Sequence, residues 1–85
     1  MAVTRSIQTR EMRALIHWLQ HQRERQGLTM RDLGGRLGVP HSYVQKVEQG
    51  ERRLDAVEYV WYCQALGVAA QEGIELIREA ATAPG

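Results

Sequence analysis

Residues 27–67 read GLTMRDLGGRLGVPHSYVQKVEQGERRLDAVEYVWYCQALG, and the punctuation of this stretch decides the fold. Thr29 and Asp32 have the spacing of a capping box: the threonine oxygen takes an orphan N–H, and the carboxylate sits at the positive end of the helix it opens. That helix is expected to run to about Leu37. Gly38 is placed to stop it in the left-handed conformation, and Val39-Pro40 turns the chain because proline fixes φ and excludes helix from its predecessor. The next helix, about His41 to Gln49, starts at once, buries Val44 and Val47 and ends at Gly50. With about three residues between them, the two helices cannot lie antiparallel side by side. They must cross steeply, one projecting outward, as in a helix-turn-helix.

Working outward, Thr9 is a plausible N-cap, and Met12, Leu15, Ile16 and Leu19 recur at three and four behind it. One stripe of this first helix is buried while Arg13, Gln20 and Arg25 face water, up to a stop near Gly27. Beyond the polar link Glu51, Arg52, Arg53, the pair Asp55 and Glu58 repeats the capping-box spacing. Ala56, Tyr59, Val60, Cys63 and Leu66 then give a fourth stripe, closed by Gly67. A fifth helix follows from about Ala69 to Ala81, with Ala70, Ile74, Ile77 and Ala81 at the four-three-four spacing of a helix-to-helix seam. The periodicity is helical throughout, so the chain is expected to be an all-α five-helix bundle.

At 85 residues and 44% hydrophobic content there is material for one core only. A single core of this size is marginally stable, which makes oligomerisation an expectation. The lone Cys63 cannot form an internal disulfide, no run approaches the roughly 20 apolar residues of a membrane span, and the N-terminus lacks a signal-peptide run. A cytoplasmic location is therefore expected. Formal net charge is only +1, but residues 1–55 hold ten Lys or Arg against six Asp or Glu, whereas residues 56–85 hold one against four. Such asymmetry suits a chain that shows one face to a polyanion and packs or pairs through the other.

The positions Leu33, Gly34, Leu37, Gly38, Val39, Val44, Val47, Glu48 and Gly50, together with the segment SYVQKVEQGERRLD, resemble the phage-repressor (Cro and XRE-like) helix-turn-helix family. The likeness covers roughly 60 residues. It implies a lambda-repressor-like bundle, divided into a basic arm (1–8), the helix-turn-helix domain (9–67) and a C-terminal helix and tail (68–85). The implied function is sequence-specific binding of double-stranded DNA by a transcriptional regulator, a small dimeric prokaryotic or phage-type repressor acting on an inverted repeat. A small residue stands at the Gly34 position in that family because the third helix passes close by. Many members carry Gln where this chain has Met30, a side chain that neither donates nor accepts usefully. Backbone N–H groups at that helix start still suit a phosphate. Gly35, inside the same helix, costs about 1 kcal/mol relative to alanine and has no evident reason.

A helix reads base edges through side chains near its N-terminus, because only the major groove shows four distinct donor and acceptor patterns. The candidates are His41, Ser42, Gln45 and Lys46. The resemblance places base contacts on His41, Ser42 and Lys46, with Tyr43 and Gln45 at the flank. Phosphate contacts are expected from Arg31, Arg36, Tyr43, Gln49, Arg52 and Arg53, with Arg10 and the arm around Arg5 in support; these position the domain without reading sequence. Tyr43 suits either the rim of the core or a phosphate. The resemblance also implies a structural ion pair between Arg23 and Glu48. For a dimer interface, Trp61, Ile74, Ile77 and Ala81 are the candidates, with Glu72, Glu75 and Glu79 keeping that helix off DNA. Ile77 and Leu76 closing the monomer core is the alternative.

Other chemistries are less well supplied. His17 and His21 are one helical turn apart, but a third ligand and the glutamate of a zinc-protease motif are missing, so exposed polar histidines are expected and no metal or cofactor. Trp18, Trp61, Tyr59 and Tyr62 have helical spacing that suits core or interface better than base stacking. No nucleophile has a base at sensible spacing and no glycine loop cradles phosphate, so an enzyme is not expected. The competing class is a protein-interaction module, an antitoxin or adaptor built on the same fold.

Overall fold

A computed structural model describes residues 9–82. It contains α1 (Arg10–Arg25), α2 (Met30–Leu37), α3 (His41–Glu48), α4 (Ala56–Leu66) and α5 (Ala70–Thr82), with no strand among the described residues. The expected all-α five-helix bundle is what forms. None of these helices is long and apolar enough to cross a membrane. The arm expected over 1–8 lies outside the described residues.

The helix starts follow the capping logic. Thr9 Oγ1 accepts from Met12 N at 3.1 Å. At α2 the box is reciprocal: Thr29 Oγ1 accepts from Asp32 N at 3.0 Å, and Asp32 Oδ2 accepts from Thr29 N at 2.9 Å. The Asp32 carboxyl is held below its ordinary pKa by that backbone hydrogen bond and the Thr29 hydroxyl. Asp55 and Glu58 repeat the arrangement at α4, at 2.7 and 2.9 Å. The α2 stop is Gly38 at φ +73°, a left-handed conformation that favours glycine.

The last turn of α4 has no basic residue to satisfy its orphan carbonyls. Neighbouring elements supply the donors. Gln26 Nε2 reaches Leu66 O at 2.7 Å, and Arg36 Nη1 reaches Ala65 O at 2.9 Å. A cation at the negative end of a helix is favourable, so Arg36 is a strut between α2 and α4.

Leu15, Leu19, Leu33, Val44, Val47, Tyr59, Tyr62, Cys63 and Leu66 form one buried cluster drawn from α1 to α4. Full burial of a leucine or valine is worth about 1.5–3 kcal/mol, so these side chains dominate the stability. Trp18 and Met30 pack against the cluster. Met30 thus contributes an apolar contact at the start of α2. Burial raises the Cys63 thiol pKa, in keeping with a core residue.

On α5 the structure corrects the expected seam. The core-facing ridge is Ala70, Gly73 and Ile77, with Gly73 buried, Ala70 and Ile77 partly buried against the core and Ile74 turned outward at 44% exposure. A Cβ at Gly73 would sit 2.8 Å from Trp18 Cζ3 and 2.9 Å from Leu15 Cδ1 and would collide with the Tyr59 hydroxyl. That hydroxyl donates to Ala70 O at 2.6 Å. The absence of a side chain at Gly73 therefore lets α5 settle onto α1 and α4. Ile77 packs partly buried against the monomer core, the alternative expected for it, whereas Trp61, Ile74 and Ala81 are exposed.

Candidate nucleic-acid interface

The turn between α2 and α3 is tight because Gly34 has no side chain. A Cβ there would lie 2.8 Å from Val39 O and 3.4 Å from His41 N. Val39 N instead donates to Gly34 O at 2.9 Å, which folds the turn back on α2. Gly35, one residue on, has open space around its missing Cβ. Its neighbour thus has the steric reason that Gly35 lacks.

Val44 and Val47 are fully buried and hold α3 down. Ser42, Gln45, Lys46 and Gln49 are exposed. At 3.6 residues per turn these four fall within an arc of about 100° on the side away from the valines. His41 opens the helix half-buried, at one edge of that arc, and Tyr43 lies half-buried at the other, between Lys46 and Val47. The leading end of α3 starts from Pro40, which supplies no side-chain cap. The polar face expected of a reading helix is therefore solvent-facing, uncovered by any of the described residues.

The base of α3 is fixed from behind. Arg23 Nε donates to Glu48 Oε2 at 2.6 Å and Nη2 to Glu48 Oε1 at 3.0 Å, while Nη1 reaches Leu28 O at 2.7 Å. The two side chains are only 10% and 4% exposed. A bidentate arginine–carboxylate pair is geometrically specific as well as strong, so it sets the position of α3 relative to α1 and the loop after it.

The basic residues divide into groups with different surroundings. Arg31 on α2 and Arg53 after α3 are exposed. Arg36, also exposed, donates to Ala65 O on α4. Arg52 is half-buried, stacked on the Tyr43 ring and paired with Glu58. The sequence pattern marks charge and proximity to α3 but not these local partners, since Ala65 and Glu58 come close only on folding. His17 and His21 are both exposed on α1. No group of three or more His, Cys, Asp or Glu side chains is placed to hold a metal ion among the described residues.

With this geometry, comparison with known proteins defines the class. A family model described as a helix-turn-helix domain matches residues 14–76. The fold is similar to that of an XRE-family like protein from Pseudomonas syringae pv. tomato str. DC3000, at 36% identity and a TM-score of 0.76, covering 86% of this chain and 88% of that one. The clp gene regulator ClgR from C. glutamicum shares the fold at 23% identity and a TM-score of 0.72, covering 86% and 94%. A hypothetical transcription factor, NHTF from Neisseria, is similar at 25% identity and a TM-score of 0.64, covering 89% and 94%. No curated protein gives a sequence match. The chain belongs to the helix-turn-helix domain family, in its XRE-like form.

Proposed function

We propose that this chain is a sequence-specific double-stranded DNA-binding transcriptional regulator, a small dimeric repressor of prokaryotic or phage type that places α3 in the major groove of an inverted-repeat operator. The observation that carries this reading is the outward polar face of α3, where Ser42, Gln45, Lys46 and Gln49 are exposed above a buried valine pair. Lysine suits guanine N7 and O6, serine either class of edge, and glutamine the adenine edge. His41 extends the reading end. Arg31, Gln49 and Arg53 flank it as phosphate contacts that set register and salt sensitivity. That two of the similar structures are described as a gene regulator and a hypothetical transcription factor supports the reading.

A dimer is supported by surface chemistry. Val57, Val60 and Trp61 are exposed on the outer side of α4, at 56%, 42% and 57%. Three neighbouring large apolar side chains left exposed on one helix face suit a protein partner. The partner proposed is a second copy, since one reading helix spans too few base pairs for an operator and two, about 34 Å apart, match successive turns of the duplex. The same face also favours the second reading, an antitoxin or adaptor module. Selecting bound duplexes from a random pool tests the first: an inverted repeat with half-sites one turn apart is expected, and recovery of no preferred sequence at low salt overturns it.

A further inference from the structure

Arg52 lies in the link that leads from α3 to α4, among the residues expected from the sequence to meet phosphate. Its guanidinium is turned onto groups of α3 and α4. The Cζ atom stands 4.4 Å from the centroid of the Tyr43 ring, and Nη2 donates to Glu58 Oε2 at 2.7 Å. Nε is buried with no hydrogen-bond partner among the described residues. The backbone is held as well: Arg52 N donates to Lys46 O at 3.2 Å, beside Glu51 N on the same carbonyl at 2.8 Å. Glu58 is itself anchored, since its Oε1 accepts from Asp55 N at 2.9 Å to close the α4 capping box. The chain of contacts thus runs from the first turn of α4, through Arg52, to a ring at the edge of the reading face of α3.

We infer that Arg52 is a positioning residue for DNA recognition: its planar cation, fixed by Glu58, holds the Tyr43 ring at the border of the α3 reading face, and its charge is not a phosphate contact. The inference rests on the DNA-binding reading above. Three features favour positioning over charge neutralisation. The flat face of the cation is taken up by an aromatic ring, an arrangement that only arginine's delocalised plane supplies well. One edge is paired with a carboxylate, which offsets the field a phosphate would meet. The remaining group at the border of α3 is Tyr43, whose position between Lys46 and Val47 gives it one side on the core and one side toward a bound duplex.

The two roles separate by salt dependence and by lysine rescue. An operator duplex from the random-pool selection and a scrambled duplex of equal length are titrated against the full chain and against Arg52→Gln, Arg52→Lys, Tyr43→Ala and the Arg52→Lys/Tyr43→Ala pair, with thermal melts reporting folding. Both Arg52 variants are expected to lose operator affinity on the order of tenfold, with scrambled-duplex affinity and the slope of log K against log salt unchanged. The double variant is expected to be no worse than Tyr43→Ala alone, because both act through one ring. Wild-type binding by Arg52→Lys, or a slope reduced by about 0.9 in Arg52→Gln, overturns the assignment. Should Arg52→Gln fail to fold, Arg52→Lys and the double variant carry the test. A wild-type chain with no preferred duplex overturns the DNA-binding reading, and this assignment with it; failure of the Arg52 signatures alone, on a wild type that does bind, overturns this assignment only.

Discussion

Arg23 on α1 grips both carboxylate oxygens of Glu48 at the far end of α3, 25 residues away in sequence, with neither side chain more than 10% exposed. The pair joins the first helix to the reading helix at the end opposite the one proposed to enter DNA. Removing one partner of a buried pair leaves an uncompensated charge and costs about 3–5 kcal/mol. Glu48→Ala is therefore expected to lower the melting temperature sharply and to abolish DNA binding by unfolding. Urea denaturation separates this from a contact defect: a variant that keeps wild-type stability but loses binding contradicts it.

The adjacent glycines of α2 are expected to respond oppositely to alanine. Gly34→Ala forces a methyl against Val39 O and displaces the turn, so it destabilises the domain. Gly35 has open space and a negative φ, so Gly35→Ala removes only a helix-propensity penalty and stabilises by about 0.5–1 kcal/mol. Chemical denaturation of the two single variants reads the difference in sign.

On the reading face, Lys46→Ala is expected to leave the fold intact, because Lys46 is exposed, and to weaken operator binding by about 1–3 kcal/mol. Discrimination should relax at one base position in each half-site. Arg53→Ala should instead weaken all duplexes alike and flatten the salt dependence. Binding titrations on an operator with single base changes distinguish them.

Trp61→Ser is expected to shift the chain from dimer to monomer and to cost operator affinity without a comparable loss of single half-site binding. Sedimentation equilibrium checks it. A variant that remains dimeric points to another shared surface, such as the one around Ile74.

Acid acts on α2. The folded-state pKa of Asp32 is lowered by its hydrogen bonds to Thr29, so the cap contributes fully above the unfolded-state value of about 4 and is lost as pH falls from there through the lowered value. Asp32→Asn should flatten this part of the stability profile. Melting temperatures from pH 7 to pH 2 give the comparison.

Much of this fold was legible in the chain because its punctuation is local. Thr29 with Asp32, Asp55 with Glu58, and Gly38 each act within one helical turn, and all three sit where the spacing places them. The reading face was legible for the same reason: with Val44 and Val47 facing inward, the period alone turns Ser42, Gln45 and Lys46 outward. What escaped were partners that no motif spacing or family likeness marks. Arg36 and Arg52 look alike in sequence, and their partners lie 29 and 6 residues away, brought close by packing. Gly73 was missed because a search for apolar side chains passes over a residue that has none, although that residue makes the α5 contact.

The separation of duties on α3 has a practical consequence. Two valines moor this helix, while Ser42, Gln45 and Lys46 carry none of the domain's packing. Those letters can be exchanged at little thermodynamic penalty, which makes the domain a ready chassis for retargeting, by natural drift or by laboratory library, to new genomic addresses.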